Sequence, residues 1–401
     1  MNEASMDILT QLGVPRRINV AGTLTRLGGS LMEPEVLQAM AQAATASVDI
    51  AELQTAASGV IARITGAQAG IVTSGAAAGL TLATAACLAR WDVRRMAALP
   101  DTRGMPNQVL MARNHRNSYD HAIRLAGAQI VDIGHNDRGT GAGIRGLEPW
   151  EIDAAITDQT VALVFVATAQ TLDDLPAVRE VVHARGLPVI VDAAAQLPPR
   201  ANLQRFIAAG ADLVVFSGGK AVGGPQASGI LAGRRDLIGS ALLQMMDMDV
   251  SPTTWSPSPL IDRQALNGIP HHGIGRGFKV GKEEIAGLVC ALERFVARDE
   301  VASARALTQR LQAIATALAS SPGITTRLVP GTELAPIPVL ELDAGARAPA
   351  LVGRLQRGNP PVHVGERLVD AGILSINPQT LRTEDDAVLV RCLIDANRST
   401  E

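Results

Sequence analysis

The stretch Ala211–Arg234, ADLVVFSGGKAVGGPQASGILAGR, decides how this chain is read. The apolar run Leu213–Phe216 ends on Ser217, Lys220 follows among Gly218, Gly219, Gly223 and Gly224, and a second apolar run begins at Gly229. Apolar runs bounded by glycine turns predict two buried strands. The glycines permit positive φ and let a bound molecule come close to the main chain. Of the 36 basic residues only Lys220, Lys279 and Lys282 are lysines. A coding preference for arginine is the plain account of that bias. It must still stop where a primary amine is required, because guanidinium neither forms an imine nor readily gives up its proton. Lys220 is therefore a chemical candidate before any motif is considered.

Upstream the same grammar repeats. PEVLQAMAQAA from Pro34 predicts a helix with proline in its first turn. A second helix is expected from Asp49 to Ile64, ending near Gly66. AGIVTSGAAAGLTLATAACLAR is a short strand, a Ser-Gly turn and a long alanine-rich helix. QVLMAR, QIVDIG, VALVFVAT and LPVIVDAAA read as strands separated by the helical segments YDHAIRLAGA, WEIDAAI and LPAVREVVHARG. Strands apolar on both faces and alternating with helices predict a right-handed, mostly parallel α/β sheet. Composition changes at Asp249, where Pro, Ser and Gly accumulate through Gly277 in a long loop, and such loops are usually lids or interface arms. Beyond it, a helix from Lys282 to Arg298 and the segments VASARALTQRLQAIATALASS, IPVLELDAG, APALVGRLQ, ILSINP and EDDAVLVRCLIDA predict an α+β domain. The expected division is an N-terminal segment at 1–48, a large domain at 49–281 and a small one at 282–401.

Composition bounds the function. The 401 residues are enough for about two domains. Apolar residues make up 47% and aromatics 2%, so small aliphatic side chains must fill the interior, which suits helices on a parallel sheet. A net charge of -3 offers no footprint for nucleic acid or an anionic membrane. With no signal-peptide pattern and no bilayer-length apolar run, a cytoplasmic protein is expected. Cys87, Cys290 and Cys392 fit neither a disulfide framework nor a zinc site and read as buried small hydrophobes. His271 and His272 lack a third ligand in sequence, so no metal is expected.

Three loops at strand ends carry polar residues where open α/β sheets bind ligands. Ser74, Gly75 and Ala76 lead a strand into a helix through small residues, which suits an anion cradle of backbone amides, although an ordinary strand-to-helix turn looks the same. Asp192 follows an apolar strand and needs a cationic or donor partner if buried; before Ala193-Ala194-Ala195 it is equally a helix cap. Ser217 and Lys220 form the third loop. The order cradle, carboxylate, lysine is that of enzymes using pyridoxal 5'-phosphate (PLP) on the aspartate-aminotransferase fold. There the lysine carries the cofactor as a Schiff base and the carboxylate holds the protonated pyridine nitrogen.

The segments INVAGTLTRLGGS, VDIAELQTAASGVIARITGAQAGIVTSGAAAG, RNHRNSYDHAIRLAGA, VDAAAQLPPRANLQRFIAAGADLVVFSGGKAVGGPQASG and GRGFKVGKEEIAGL resemble the family joining bacterial selenocysteine synthase to D-glucosaminate-6-phosphate ammonia-lyase. The resemblance is nearer to the ammonia-lyase branch, since the selenium transferases carry a further N-terminal tRNA-recognition domain and few residues here precede Ile18. It implies a three-layer PLP-dependent transferase-like fold with a mostly parallel large-domain sheet and a smaller α+β domain. It also implies Lys220 on the cofactor, Asp192 on the pyridine nitrogen, and Ser74, Gly75, Ala76 and Ser217 around the phosphate. His115, after a strand, would stack on the cofactor face. Near Gly365, where the family tends to place a substrate-binding arginine, this chain departs from the pattern, and Arg367 or Arg26 would substitute. Arg276, Lys279 and Lys282 form a basic arm expected to meet an anion, and Arg276 and Lys279 to reach a neighbouring subunit's site.

The expected activity is a lyase that removes ammonia or water from a polar β-substituted, sugar-derived amino acid to give a 2-oxo acid. An amino-acid racemase or epimerase is the alternative enzyme, and a non-catalytic PLP-binding regulator the alternative class. The latter needs a DNA-binding module for which neither end of the chain leaves room. A homodimer or larger homo-oligomer is expected, because one sheet's loops leave an open side to the site.

Overall fold

A computed structural model describes residues 7–135, 148–319 and 321–398. Among them, twelve strands run in chain order. The first six are β1 Ile18–Val20, β2 Ala69–Thr73, β3 Gln108–Ala112, β4 Gln129–Ile133, β5 Thr160–Val166 and β6 Val189–Asp192. The rest are β7 Leu213–Ser217, β8 Gly229–Gly233, β9 Thr325–Val329, β10 Val339–Asp343, β11 Val362–Leu368 and β12 Ile373–Ile376. No described helix is long and apolar enough to cross a membrane.

The larger unit, Met32–Ala297, holds a seven-stranded sheet in the order β2-β8-β7-β6-β5-β3-β4. β3 to β7 are parallel, and β8 runs antiparallel to both β2 and β7. Helices cover both faces, as strand alternation requires. Val215 lies against Gly79 of the helix Ala76–Ala89, whereas Phe216, one residue on, meets Phe206 of the helix Asn202–Ala208 at 6.0 Å between ring centroids. The helix Ala76–Ala89 is buried from Gly79 onward, so alanine, leucine and threonine all around it replace an amphipathic stripe.

Edge strand β2 would expose unpaired main-chain groups. The helix Ile50–Thr65 closes them with two side chains one turn apart. Gln54 accepts from Val72 N–H and donates to Val72 C=O, both at 2.9 Å, and Ser58 Oγ accepts from Gly70 N–H at 3.0 Å. That helix starts on the Asp49 side chain and ends on Gly66 at φ 72°, as its sequence predicts.

The smaller unit, Met1–Leu31 with Arg298–Glu401, holds a mixed sheet in the order β1-β11-β12-β10-β9. Ile18, Val20, Leu340, Leu342, Val362, Val364, Leu374 and Ile376 pack with Leu311, Leu351 and Leu389 into its core. These limits differ from 1–48, 49–281 and 282–401. The helix Pro34–Ala44 belongs to the larger unit because the helix Lys282–Ala297 lies on it, with Gly287 close to Met40 and Arg294 paired to Glu33 and Glu35. β1 belongs to the smaller unit because it pairs in parallel with β11.

Candidate active site

The register of the large sheet places the expected residues along one edge. Thr73 and Ser217 flank Gly229 on the rung that joins β2, β8 and β7. Asp192 lies between Val215 and Val166 on the rung that joins β7, β6 and β5. Ser74, Lys220 and His115 follow β2, β7 and β3 at the same carboxyl-terminal edge.

The loop carrying Lys220 is fixed by its own main chain. Gly218 N–H donates to Ser228 C=O, Gly224 N–H to Gly218 C=O and Gly223 N–H to Lys220 C=O. A Cβ on Gly218 would sit 2.2 Å from Ser228 Oγ and one on Gly219 2.6 Å from Gln226 Cα, so the turn closes only with glycine at both positions. Burial lowers the pKa of Lys220, and the Asp192 charge opposes that shift. Burial likewise raises Asp192, against the pull of the Ala194 amide, which donates to Oδ1 at 3.0 Å, and of Lys220. The carboxylate thus caps a local turn, with no helix beginning there, while its charge acts on the lysine.

At the cradle, Gly75 takes φ 121° before the helix Ala76–Ala89, which has no side-chain cap, so its first amides are left to an anion or to water. A Cβ on Gly75 would meet nothing within 4 Å, whereas one on Gly229 would lie 2.6 Å from Gly75 C and 2.7 Å from Ala76 N. β8 therefore supports the turn from below and leaves it open above. The Ser74 hydroxyl differs from expectation: it donates to Phe278 C=O at 2.7 Å, so its proton is not offered to an anion in this arrangement. A cleft of about 620 Å³ adjoins it, lined by Ser74, Ala77, Thr81, Tyr119, Leu125 and Phe278 among others. An open cradle, a carboxylate and a partly desolvated lysine on one sheet edge fit the phosphate, ring nitrogen and carbonyl carbon of PLP.

His115 is buried, with 5% of its surface exposed, and its ring meets Phe165 edge-on at 4.8 Å. Burial lowers its pKa to about 4, so the ring is neutral.

The basic arm is not free. Arg276 pairs with Asp247 at 2.7 Å, a residue before the loop that sequence distance conceals, and Gly273 and Gly275 seat this turn on Gln244 and Met245 of its own chain. Lys282 pairs with the adjacent Glu283, which supplies the anion expected at that helix start, and Lys279 is exposed. Asp247, Asp249 and His272 bring ligand-type atoms within 4.8 Å of one another on the surface. In the smaller unit Arg26 pairs with Glu366 at 3.2 Å, and Glu366 also accepts from Gln356, while Arg367 is exposed on β11. At Gly365 a Cβ would lie 2.2 Å from Ser375 Oγ, so a side chain there would displace that serine.

Comparison with known proteins places the chain among its relatives. The family model for L-seryl-tRNA selenium transferase matches residues 166–247, which span Asp192 and Lys220. D-glucosaminate-6-phosphate ammonia lyase of Salmonella typhimurium is 31% identical over 400 residues, covering 96% of each chain. A 5'-C-glycyluridine monooxygenase-decarboxylase of a Streptomyces species is also 31% identical, covering 95% of this chain and 90% of its own. A solved structure of D-glucosaminate-6-phosphate ammonia-lyase superposes with a TM-score of 0.81 at 30% identity over 98% of both chains. The architecture is that of the PLP-dependent transferases. The chain belongs to the family that joins D-glucosaminate-6-phosphate ammonia lyase to the selenocysteine synthases.

Proposed function

We propose that this protein is a PLP-dependent lyase that eliminates ammonia or water from a polar, sugar-derived amino acid to give a 2-oxo acid. The observation that carries the reading is that desolvated Lys220 and desolvated Asp192 act on each other's charge at the sheet edge that also carries an open amide cradle. Bound there, PLP would supply an electron-accepting ring conjugated to the substrate's amine. Lys220 would hold the cofactor by its carbonyl carbon, Asp192 its ring nitrogen, and the amides after Gly75 its phosphate, with Ser217 beside them. The helix dipole adds about 0.3–2 kcal/mol to that grip, so several hydrogen bonds must share it.

The lysine is also the group that moves the proton. Burial raises the neutral fraction of its amine, which is what a base acting on the substrate's α-carbon needs. Asp192 limits that shift. A sugar-derived substrate is supported by the names of the two relatives at 31% identity, one a phosphorylated amino sugar acid lyase and the other acting on a glycyl-substituted nucleoside. A homodimer or larger oligomer belongs to this reading, since exposed Tyr119 and Leu125 line the cleft next to Ser74.

The test is turnover of the PLP-loaded protein on amino sugar acids, with and without a phosphate, and on β-hydroxy amino acids. Release of 2-oxo acid, with ammonia, is expected. Inversion at the α-carbon without oxo acid would make it a racemase, oxygen uptake with loss of carbon dioxide a decarboxylating oxygenase, and tight PLP binding without turnover a regulator; each outcome contradicts the reading.

A further inference from the structure

β5 runs on past its last rung with β3, and this has a chemical result at His115. Odd-numbered residues of β5 and its end donate toward β6: Leu163 N–H reaches Pro188 C=O, and Ala167 N–H reaches Asp192 C=O. Even-numbered residues therefore face β3, whose last rung with β5 is Met111 to Val164. The ladder stops at that rung, so Val166 N–H is left out of it. The chain turns back in a short 3-10 segment, Arg113–His115, and His115 Nδ1 accepts that amide proton at 3.3 Å. The imidazole thus stands in for the missing rung of the sheet.

A main-chain amide can only donate, so Nδ1 must be the unprotonated nitrogen of the ring. A neutral imidazole then carries its proton on Nε2. Phe165, on the same strand, holds the ring by an edge contact with the planes at 84°, which resists the ring flip that would put Cδ2 in the place of Nδ1. Among the described residues no acceptor meets Nε2, so the one N–H of this buried residue, at the sheet edge that carries Asp192 and Lys220, is left for a ligand.

We infer that His115 serves the site as a hydrogen-bond donor locked in the Nε2–H tautomer by Val166, and takes no part in proton transfer. The inference deepens the PLP reading above, and leaves Lys220 as the group that moves the proton. Burial is the one cause that displaces the ring's titration, and no charged side chain contributes to it; Asp192, on the rung beside Val166, acts on Lys220. The ligand this donor suits is an acceptor oxygen of the bound cofactor or substrate.

Nitrogen NMR of the PLP-loaded enzyme with labelled histidine reads the tautomer directly, at intervals from about pH 5.5 to about 9. His115 is assigned by the signal lost in His115→Gln, or by ring-proton contacts to Phe165 if that variant does not fold. The expected result is an unprotonated Nδ1 and a protonated Nε2 with no titration across the range. An Nδ1–H tautomer, or an imidazolium appearing near the ordinary value of 6.5, would overturn it. Failure of the PLP reading is separate: then no cofactor loads, yet the ring still reports whether Val166 fixes its tautomer.

Discussion

Asp192 and Lys220 each restrain the other's loss of charge: burial drives the lysine down and the carboxyl up, and each one's charge opposes the shift of its partner. Removing either therefore changes both the local field and the chemistry. Lys220→Ala is expected to abolish covalent PLP attachment and to lower turnover by at least about 10²–10⁴-fold, the usual contribution of a positioned acid or base. Asp192→Asn is expected to keep PLP bound while turnover falls by about a hundredfold or more, as when other preorganised electrostatic partners are removed. Absorbance and steady-state rates separate the two effects. Near-wild-type turnover in Asp192→Asn would reduce the carboxylate to the turn that it caps at Ala194.

Gly229→Ala should damage the cradle without touching the cofactor. Its Cβ would press on Gly75 and Ala76, and overpacking of about 1–3 kcal/mol there predicts PLP binding weakened by about tenfold or more. Gly75→Ala has no steric neighbour but sits at φ 121°, so its penalty is conformational and should appear as lost stability as well. Fluorescence titration with PLP and urea unfolding distinguish them.

Much of this was legible in the chain. Leu213–Phe216, Val189–Val191 and Val161–Val166 are continuous apolar runs that place strands whatever else folds around them, and the Ser74, Asp192 and Lys220 loops follow from where those runs stop. The helix Arg235–Met245 was not legible, because from Leu237 it is buried all round and shows no periodic stripe. β9 and β11 were missed for the opposite reason: TTRLV and VHVGERL mix polar and charged residues with too few apolar ones to mark a strand. The partners of Arg276 and Ser74 are tertiary. Asp247 lies before the loop and Phe278 far along the chain, so the free basic arm and the Ser74 donor were beyond local reading.

The edge of the large sheet gives a stability prediction. Gln54→Leu keeps most of the buried volume but leaves both main-chain groups of Val72 unpaired, at about 1–3 kcal/mol each. Ser58→Ala removes a single acceptor from Gly70 N–H and should cost about 1–2 kcal/mol. Urea unfolding checks the order of the two; equal effects would mean that water replaces Gln54 at β2.

His115 sets a pH dependence of folding. Its folded pKa of about 4 lies below the ordinary 6.5, so between these values the unfolded chain binds the extra proton. Stability is fully present above about pH 6.5 and is lost as pH falls toward 4, by about 3 kcal/mol for this group. His115→Phe should flatten the unfolding free energy between pH 7 and 4 relative to wild type. An unchanged slope would show that the ring is hydrated in the folded protein.

The most direct test is chemical. The protein loaded with PLP, reduced with borohydride, digested and mapped by mass spectrometry is predicted to carry the pyridoxyl group on Lys220, within the peptide that joins β7 to β8. An adduct on Lys279 or Lys282, or none on any lysine, would contradict the account.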